Sequence, residues 1–260
     1  MRISLIGSGN VATHLAAAFR NAGHVLVQVY SRDPQHAAML AYHVGAGPVS
    51  DLAMLRDDID LLLIAVSDDA IPDIVNALNG QRNALVAHTS GSTPLFVLEK
   101  FAKAGVFYPL QTFSKTVSVD MRQVPVCIEG ASREAFFTLQ NLASDISNQV
   151  EEIDSERRFI LHIAAVFTSN FVNYLYAAGR QLLEKHALDF SLLRPLIMQS
   201  AVKVMDADPA AVQTGPAVRN DRRIMDRHLE RLQSEPDLAR LYAYISEAIV
   251  KSAQEQNAGR

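Results

Sequence analysis

The residues with the clearest chemistry stand near the start of the chain. Gly7-Ser8-Gly9-Asn10-Val11-Ala12 fits the pattern G-x-G-x-x-A, directly after an apolar run and at the head of an amphipathic segment. Gly7 makes a tight turn, Gly9 lets the backbone approach a pyrophosphate, and the small Ala12 lets a helix lie close on a strand. Ser8, Asn10 and Val11 complete the turn, whose free N–H groups at a helix start favour negative charge. A dinucleotide is the ligand this arrangement serves; the competing reading is a glycine turn without a ligand. About 20 residues on, where Asp or Glu would hold a free ribose, the chain has Ser31-Arg32. A hydroxyl and a guanidinium suit a ribose 2′-phosphate, so NADP is expected rather than NAD. Asp33 ahead of Pro34 reads as a helix cap.

Other candidates lie further along. Val66 and Ser67 are small residues at the end of an apolar run, where a cofactor ribose would pass. His88-Thr89-Ser90-Gly91-Ser92 ends another run. Thr89 is expected on the cofactor and Ser90 beside a catalytic water, Ser92 reads as a cap before Pro94, and His88 reads equally well as a core histidine. Tyr108 can donate a proton or simply pack. Within Ser155–His186, at 100° per residue, His162, Ser169 and Asn173 fall within about 40° of one another, with Asn170 beside them. His162 suits acid–base work because imidazole titrates near neutrality, with Asn170 and Asn173 orienting a substrate. The same stripe could equally bond neighbouring helices. In Thr214–Asp221, Asp221 reads as a helix cap, and Arg219 is either a carboxylate ligand or a surface arginine.

These residues need a frame. Ile3–Ile6, Val25–Tyr30, Asp60–Val66, Ala84–His88, Gly105–Tyr108 and Pro125–Ile128 are short apolar runs separated mainly by amphipathic segments. That alternation predicts an α/β, doubly wound Rossmann-type parallel sheet over residues 1–152. From residue 153 to 260 the pattern is all-helical. It opens with one helix of roughly 30 residues, about 45 Å long, and continues with helices near Leu192–Asp206, Asp221–Leu232 and Asp237–Glu255. The final residues, Asn257–Arg260, are expected to fray. With 24 basic against 28 acidic residues among 260, the net charge is −4, which gives no reason to seek nucleic acid or anionic lipid. One cysteine, Cys127, makes neither a disulfide nor a metal cluster and fits a reducing compartment. The apolar start is too short for a signal peptide, and no apolar run reaches the length of a membrane span. A cytoplasmic, metal-free protein is expected.

Taken in order, Gly7–Ala12, Ser31-Arg32, His88–Ser92, Gly105–Lys115 and Thr214–Asp221 resemble a family of NADP oxidoreductases. In that family a Rossmann-like domain precedes a helical C-terminal domain of unknown function. The family is similar to pyrroline-5-carboxylate reductase, the β-hydroxyacid dehydrogenases and the deazaflavin-linked NADP reductases. The resemblance implies a nicotinamide cofactor between the domains, a small-molecule substrate and a homodimer formed through the helical domain. It departs from the β-hydroxyacid dehydrogenases at their catalytic Lys and the Asn four residues on, where this chain has His162 and Val166. The expected function is an NADP(H)-dependent oxidoreductase acting on a small carbonyl, imine or hydroxyl compound. The alternative is a non-catalytic NADP(H)-binding sensor, which the dinucleotide motif supports equally.

Overall fold

The computed structural model describes residues 1–80 and 82–258. Its strands are β1 (Arg2–Ile6), β2 (Val25–Tyr30), β3 (Gly47–Val49), β4 (Leu61–Ile64), β5 (Leu85–His88), β6 (Ala104–Pro109), β7 (Val126–Gly130) and β8 (Val150–Glu152). They form one sheet in the order β3-β2-β1-β4-β5-β6-β7-β8. The helices between them are α1 (Asn10–Asn21), α2 (Pro34–Val44), α3 (Ile71–Ala77) and α4 (Arg133–Ser144). Strand alternation divides the core between the two faces of the sheet. Ile3, Leu5, Leu61, Leu63 and Phe107 pack with α1 and α4, while Ile6, Leu62, Ile64 and Val86 pack with α3.

The sheet is parallel through β6, but β6 pairs antiparallel with β7, and β8 then runs parallel to β7. The doubly wound parallel sheet expected from the sequence is thus present, with one antiparallel step at β7. Between Pro109 and Val126 the chain passes through a loop and a single 3-10 turn before it returns antiparallel along β6. Two strands, β3 and β8, escape the sequence reading because each is three residues long.

From Ser155 to Lys185 the chain is helical throughout, as α5 (Ser155–Ala165), a π-helical turn (Val166–Asn170) and α6 (Phe171–Lys185). The wide turn breaks the 100° periodicity, so the polar stripe drawn on a regular helix does not continue through it. By length and composition this helix could cross a membrane, contrary to the expectation of no such stretch. Its first turn, however, places Arg158 in the protein interior beside Glu129. Three further helices follow: α7 (Arg194–Asp206), α8 (Arg222–Arg231) and α9 (Pro236–Ala258). Helix α9 takes in Asn257 and Ala258, which were expected to fray, and residues 259 and 260 lie outside the described residues.

The described chain divides into two compact units, Met1–Phe171 and Val172–Arg260. Strand content ends at Glu152, where the sequence pattern changes, and α5 belongs to the same unit as the sheet.

Candidate functional site

The turn between β1 and α1 is built as its glycines require. Gly7 has φ +120°, and a Cβ there would lie 2.1 Å from the Ala65 carbonyl oxygen, so no side chain fits. The Gly7 N–H donates to the Tyr30 carbonyl at 2.8 Å, tying the turn to β2. At Gly9, by contrast, the space where a Cβ would stand is open to 4 Å. Helix α1 has no side-chain cap and no acidic residue in its first turn, whereas Asp33, Ser132 and Asp154 cap α2, α4 and α5. Its donors and its positive dipole end are thus available to an anion.

This turn opens on a cavity of about 650 Å³. Gly7, Ser8, Gly9, Asn10, Val11, Ser31, Arg32, Val66 and Ser67 all line it, as the sequence leads one to expect of a dinucleotide site. The Ser8 hydroxyl donates to Ser31 Oγ at 3.0 Å, joining the two loops, and Arg32 stands exposed at the rim. Asp33 is engaged as a cap, its Oδ1 accepting from Gln35 N at 2.8 Å. His36, on the first turn of α2, lines the same cavity and was not singled out by sequence; its signal is an imidazole four residues after Arg32. Thr89 falls outside this lining. It is buried, and its N–H donates to the Ile64 carbonyl at 3.1 Å.

Further along the carboxyl edge of the sheet, the loop after β5 is held by its own polar groups. Ser90 is 5 % exposed, and its Oγ accepts from Ser92 N at 3.1 Å and Thr93 N at 2.9 Å. Ser90 thus closes the loop itself, while the 3-10 turn at Leu95–Leu98 starts at Pro94 without a side-chain cap. The cap expected of Ser92 is not formed, and its hydroxyl donates to the Asp68 carboxylate. His88 is fully buried, with Nδ1 accepting from Ser90 N at 3.2 Å. Burial first, then the positive charge of Arg158, pushes its pKa down to about 4, so the ring is neutral at pH 7.

Three elements meet beside this loop. By strand alternation Tyr108 points away from the Phe107 side of β6, and its Oη lies 3.2 Å from Nδ1 of His162 on α5. Gly91 lies beneath both: a Cβ there would be 2.7 Å from His162 Nδ1 and 2.7 Å from Tyr108 Cζ. Burial first, with Cys127 and the Asp68 carboxylate nearby, pushes the Tyr108 phenol up to about 12, so it stays protonated. One turn before His162, the guanidinium of Arg158 is 1 % exposed and ion-paired with Glu129. It also donates to the Thr93 carbonyl at 2.7 Å and to Ser155 Oγ at 3.2 Å. Ser155 Oγ in turn donates to Glu129 at 2.8 Å and accepts from Leu95 N at 2.8 Å. A buried pair of this kind adds little net stability, but it fixes α5 against the β5 loop and with it the place of His162.

The remaining candidates are dispersed. Asn170 is exposed on the π turn, while Asn173 and Arg219 are exposed in the second unit. There Asp221 caps α8 as expected, its Oδ1 accepting from Ile224 N at 3.2 Å.

The strand order, the uncapped α1 turn and the cavity at the carboxyl edge define a Rossmann-type α/β protein with a helical C-terminal region. Residues 1–112 match a Rossmann-like domain, and residues 124–249 match a domain of unknown function, DUF2520. No curated protein matches the chain. A putative NADP oxidoreductase from Bacteroides fragilis is 42 % identical, with TM-score 0.89 over 96 % of this chain and 98 % of that one. A protein from Thermotoga maritima is 20 % identical, with TM-score 0.82 over 97 % and 99 %. The imine reductase from Myxococcus stipitatus, solved with NADP+, is 13 % identical, with TM-score 0.63 over 100 % and 95 %, a likeness of fold. The chain belongs to the family of the Bacteroides protein, in which a Rossmann-like domain is followed by the DUF2520 domain.

Proposed function

We propose that the protein is an NADP(H)-dependent oxidoreductase acting on a small carbonyl, imine or hydroxyl compound. The observation that carries the reading is the α1 N-terminus, left without a side-chain cap and opening on the same cavity as Ser31 and Arg32. Gly7–Val11 would hold the pyrophosphate, Ser31 and Arg32 the 2′-phosphate, and Val66 and Ser67 the ribose. The cofactor named for the Bacteroides relative, 42 % identical over nearly its whole length, supports the same choice. When bound, the nicotinamide supplies or accepts the hydride. His162 exchanges the accompanying proton with the substrate, and Ser90 holds the loop beside it. Asn170 and Asn173 remain candidates for orienting the substrate. The meeting of Tyr108 and His162 over a glycine favours turnover over a sensor, since a binding module has no use for a placed acid–base group.

The working form is a cytoplasmic homodimer joined through its helices. Phe159, Ile160, Ile163 and Phe167 before the division, and Leu192, Leu196 and Met205 beyond it, are large apolar side chains exposed in the single chain, and a second copy would cover such surface.

The test is thermal stability titrated with NADPH and with NADH, on the wild type and Arg32→Ala. At about 100 times its dissociation constant, a ligand specific to the native state stabilises by about 2.7 kcal/mol. The expected result is a large NADPH shift that Arg32→Ala mostly removes, leaving any NADH response intact. No response to either nucleotide would overturn the proposal.

A further inference from the structure

Resting on the oxidoreductase reading, we infer that Tyr108 is a positioning residue for the proton-exchanging group: its hydroxyl accepts the Nδ1 hydrogen of His162 and so makes Nε2 the nitrogen that exchanges a proton with the substrate. The geometry carries this in two independent ways. Tyr108 Oη and His162 Nδ1 are 3.2 Å apart, although they come from β6 and α5, 54 positions apart in the chain. Beneath them, Gly91 leaves out the one side chain that would force them apart, because a Cβ would sit 2.7 Å from atoms of both. Gly91 does not adopt the left-handed conformation that would otherwise account for a glycine, so close approach is the reason for its presence. The third support is the anchoring of α5 through Arg158, Glu129 and Ser155, which holds the ring where Tyr108 can meet it.

The assignment divides the labour. Tyr108 is half-buried beside Cys127 on the neighbouring strand, with Asp68 as the nearby carboxylate, and this setting keeps its phenol protonated at neutral pH. The protonated hydroxyl keeps lone pairs on Oη that can accept the Nδ1 hydrogen, so it holds the ring without itself being the working acid. In reduction, the imidazolium of His162 gives its Nε2 proton to the substrate oxygen or nitrogen while the hydride, with its electron pair, arrives at the adjacent carbon. The neutral ring is left with hydrogen on Nδ1, still bonded to Tyr108 Oη. In oxidation the same Nε2 takes the proton back. Tyr108 neither gains nor loses a proton in either direction. This is the logic by which a buried group on one imidazole nitrogen fixes the function of the other.

The experiment reads the ring directly and needs no substrate. Long-range 15N–1H spectra of the full-length protein, recorded in alkaline buffer and assigned with His162→Asn, give the tautomer of the neutral ring. The wild type is expected to carry hydrogen on Nδ1. Tyr108→Phe keeps the packing and removes the acceptor, so the signal reverts to the Nε2–H form that an unconstrained imidazole prefers. Gly91→Ala, which drives the ring and the phenol apart, is expected to lose the Nδ1–H signal as well, while Gly47→Ala, on β3 and with only ordinary contacts around its Cβ, leaves it unchanged. A wild-type ring in the Nε2–H form, or an Nδ1–H form that survives Tyr108→Phe, would overturn the inference. The NADPH thermal shift of the wild type and of Tyr108→Phe is measured alongside. Its absence in both would sink the oxidoreductase reading while leaving the tautomer result standing, so the two failures are told apart.

Discussion

The two compact units treat their apolar residues in opposite ways. In the sheet unit Ile3, Leu5, Phe19, Leu61–Ile64, Val86 and Phe107 are at or near zero exposure, filling both faces of the sheet. In the unit from Val172 onward, the buried hydrophobic residues among those described are Ala217, Met225 and Val250, while Leu192, Leu196, Met198 and Met205 each remain more than 60 % exposed. A strand buried on both sides finds its partners in its own helices, but a helix with an open apolar face needs another surface. The sheet unit thus contains the whole lining of the nucleotide cavity, while the helical unit carries open apolar faces that the proposed dimer would cover.

The largest expected effect breaks that interface. Burying a large apolar side chain is worth about 1.5–3 kcal/mol, and a homodimer counts each one twice. Leu196→Glu with Met205→Glu is expected to turn a dimer into a monomer, raising the dimer dissociation constant by at least roughly 100-fold. Sedimentation or light scattering after size exclusion reads this. NADPH affinity in the same variant is expected to stay within about threefold, because the residues lining the 650 Å³ cavity all lie in the sheet unit. A monomeric wild type would overturn the reading of the helical faces, and lost NADPH affinity would show that the sheet unit is not sufficient by itself.

The second effect acts on the sheet unit. His88 is buried neutral, its pKa pushed from 6.5 to about 4 by burial and by Arg158. An unfolded chain binds this proton more readily than the native one, so stability is full above pH 6.5 and is lost as the pH falls toward 4. The difference amounts to about 3 kcal/mol across that window. His88→Gln is expected to flatten this part of the pH–stability curve relative to the wild type, measured by urea denaturation at stepped pH. Hydrogen exchange should place the low-pH loosening in residues 61–110, with 236–258 unaffected. Equal slopes in the two proteins would remove His88 as the cause.

What the sequence discloses follows the range of the interactions involved. The β1–α1 turn, the Asp33 cap and the Asp221 cap are local, and the residue types alone place them. The reversal at β7 is a matter of how β6 and β7 pair across the sheet, which periodicity within each run does not reveal. The π turn at Val166–Asn170 shifts the phase of the helix, so a stripe counted at a constant angle separates in space. Most distant of all is the pairing of Tyr108 with His162. It requires the alternation of β6, the anchoring of Arg158 and the empty place at Gly91, and none of these is visible until the sheet is assembled. Ser92 fails to cap for a smaller reason: Ser90 Oγ takes up the N–H groups of the loop and the Ser92 hydroxyl turns to Asp68, which only the backbone path decides.

The smallest expected effect tests how far the nucleotide selectivity of the sheet unit is spread beyond Arg32. His36 lines the cavity from the first turn of α2, its Nδ1 3.6 Å from the Asp33 carboxylate. That carboxylate is committed to capping, with Oδ1 accepting from Gln35 N. A 2′-phosphate held by Ser31 and Arg32 would have His36 as a further hydrogen-bond donor on the α2 side, exposed to water and therefore worth only about 1 kcal/mol. His36→Ala is accordingly expected to weaken NADPH roughly fivefold and leave NADH unchanged, as read by fluorescence titration of each nucleotide. Only NADPH carries the phosphate, so the ratio of the two affinities isolates this contact from any general damage to α2. Equal weakening of both nucleotides would mean that His36 meets the adenosine instead, and selectivity would then rest on Arg32 and Ser31.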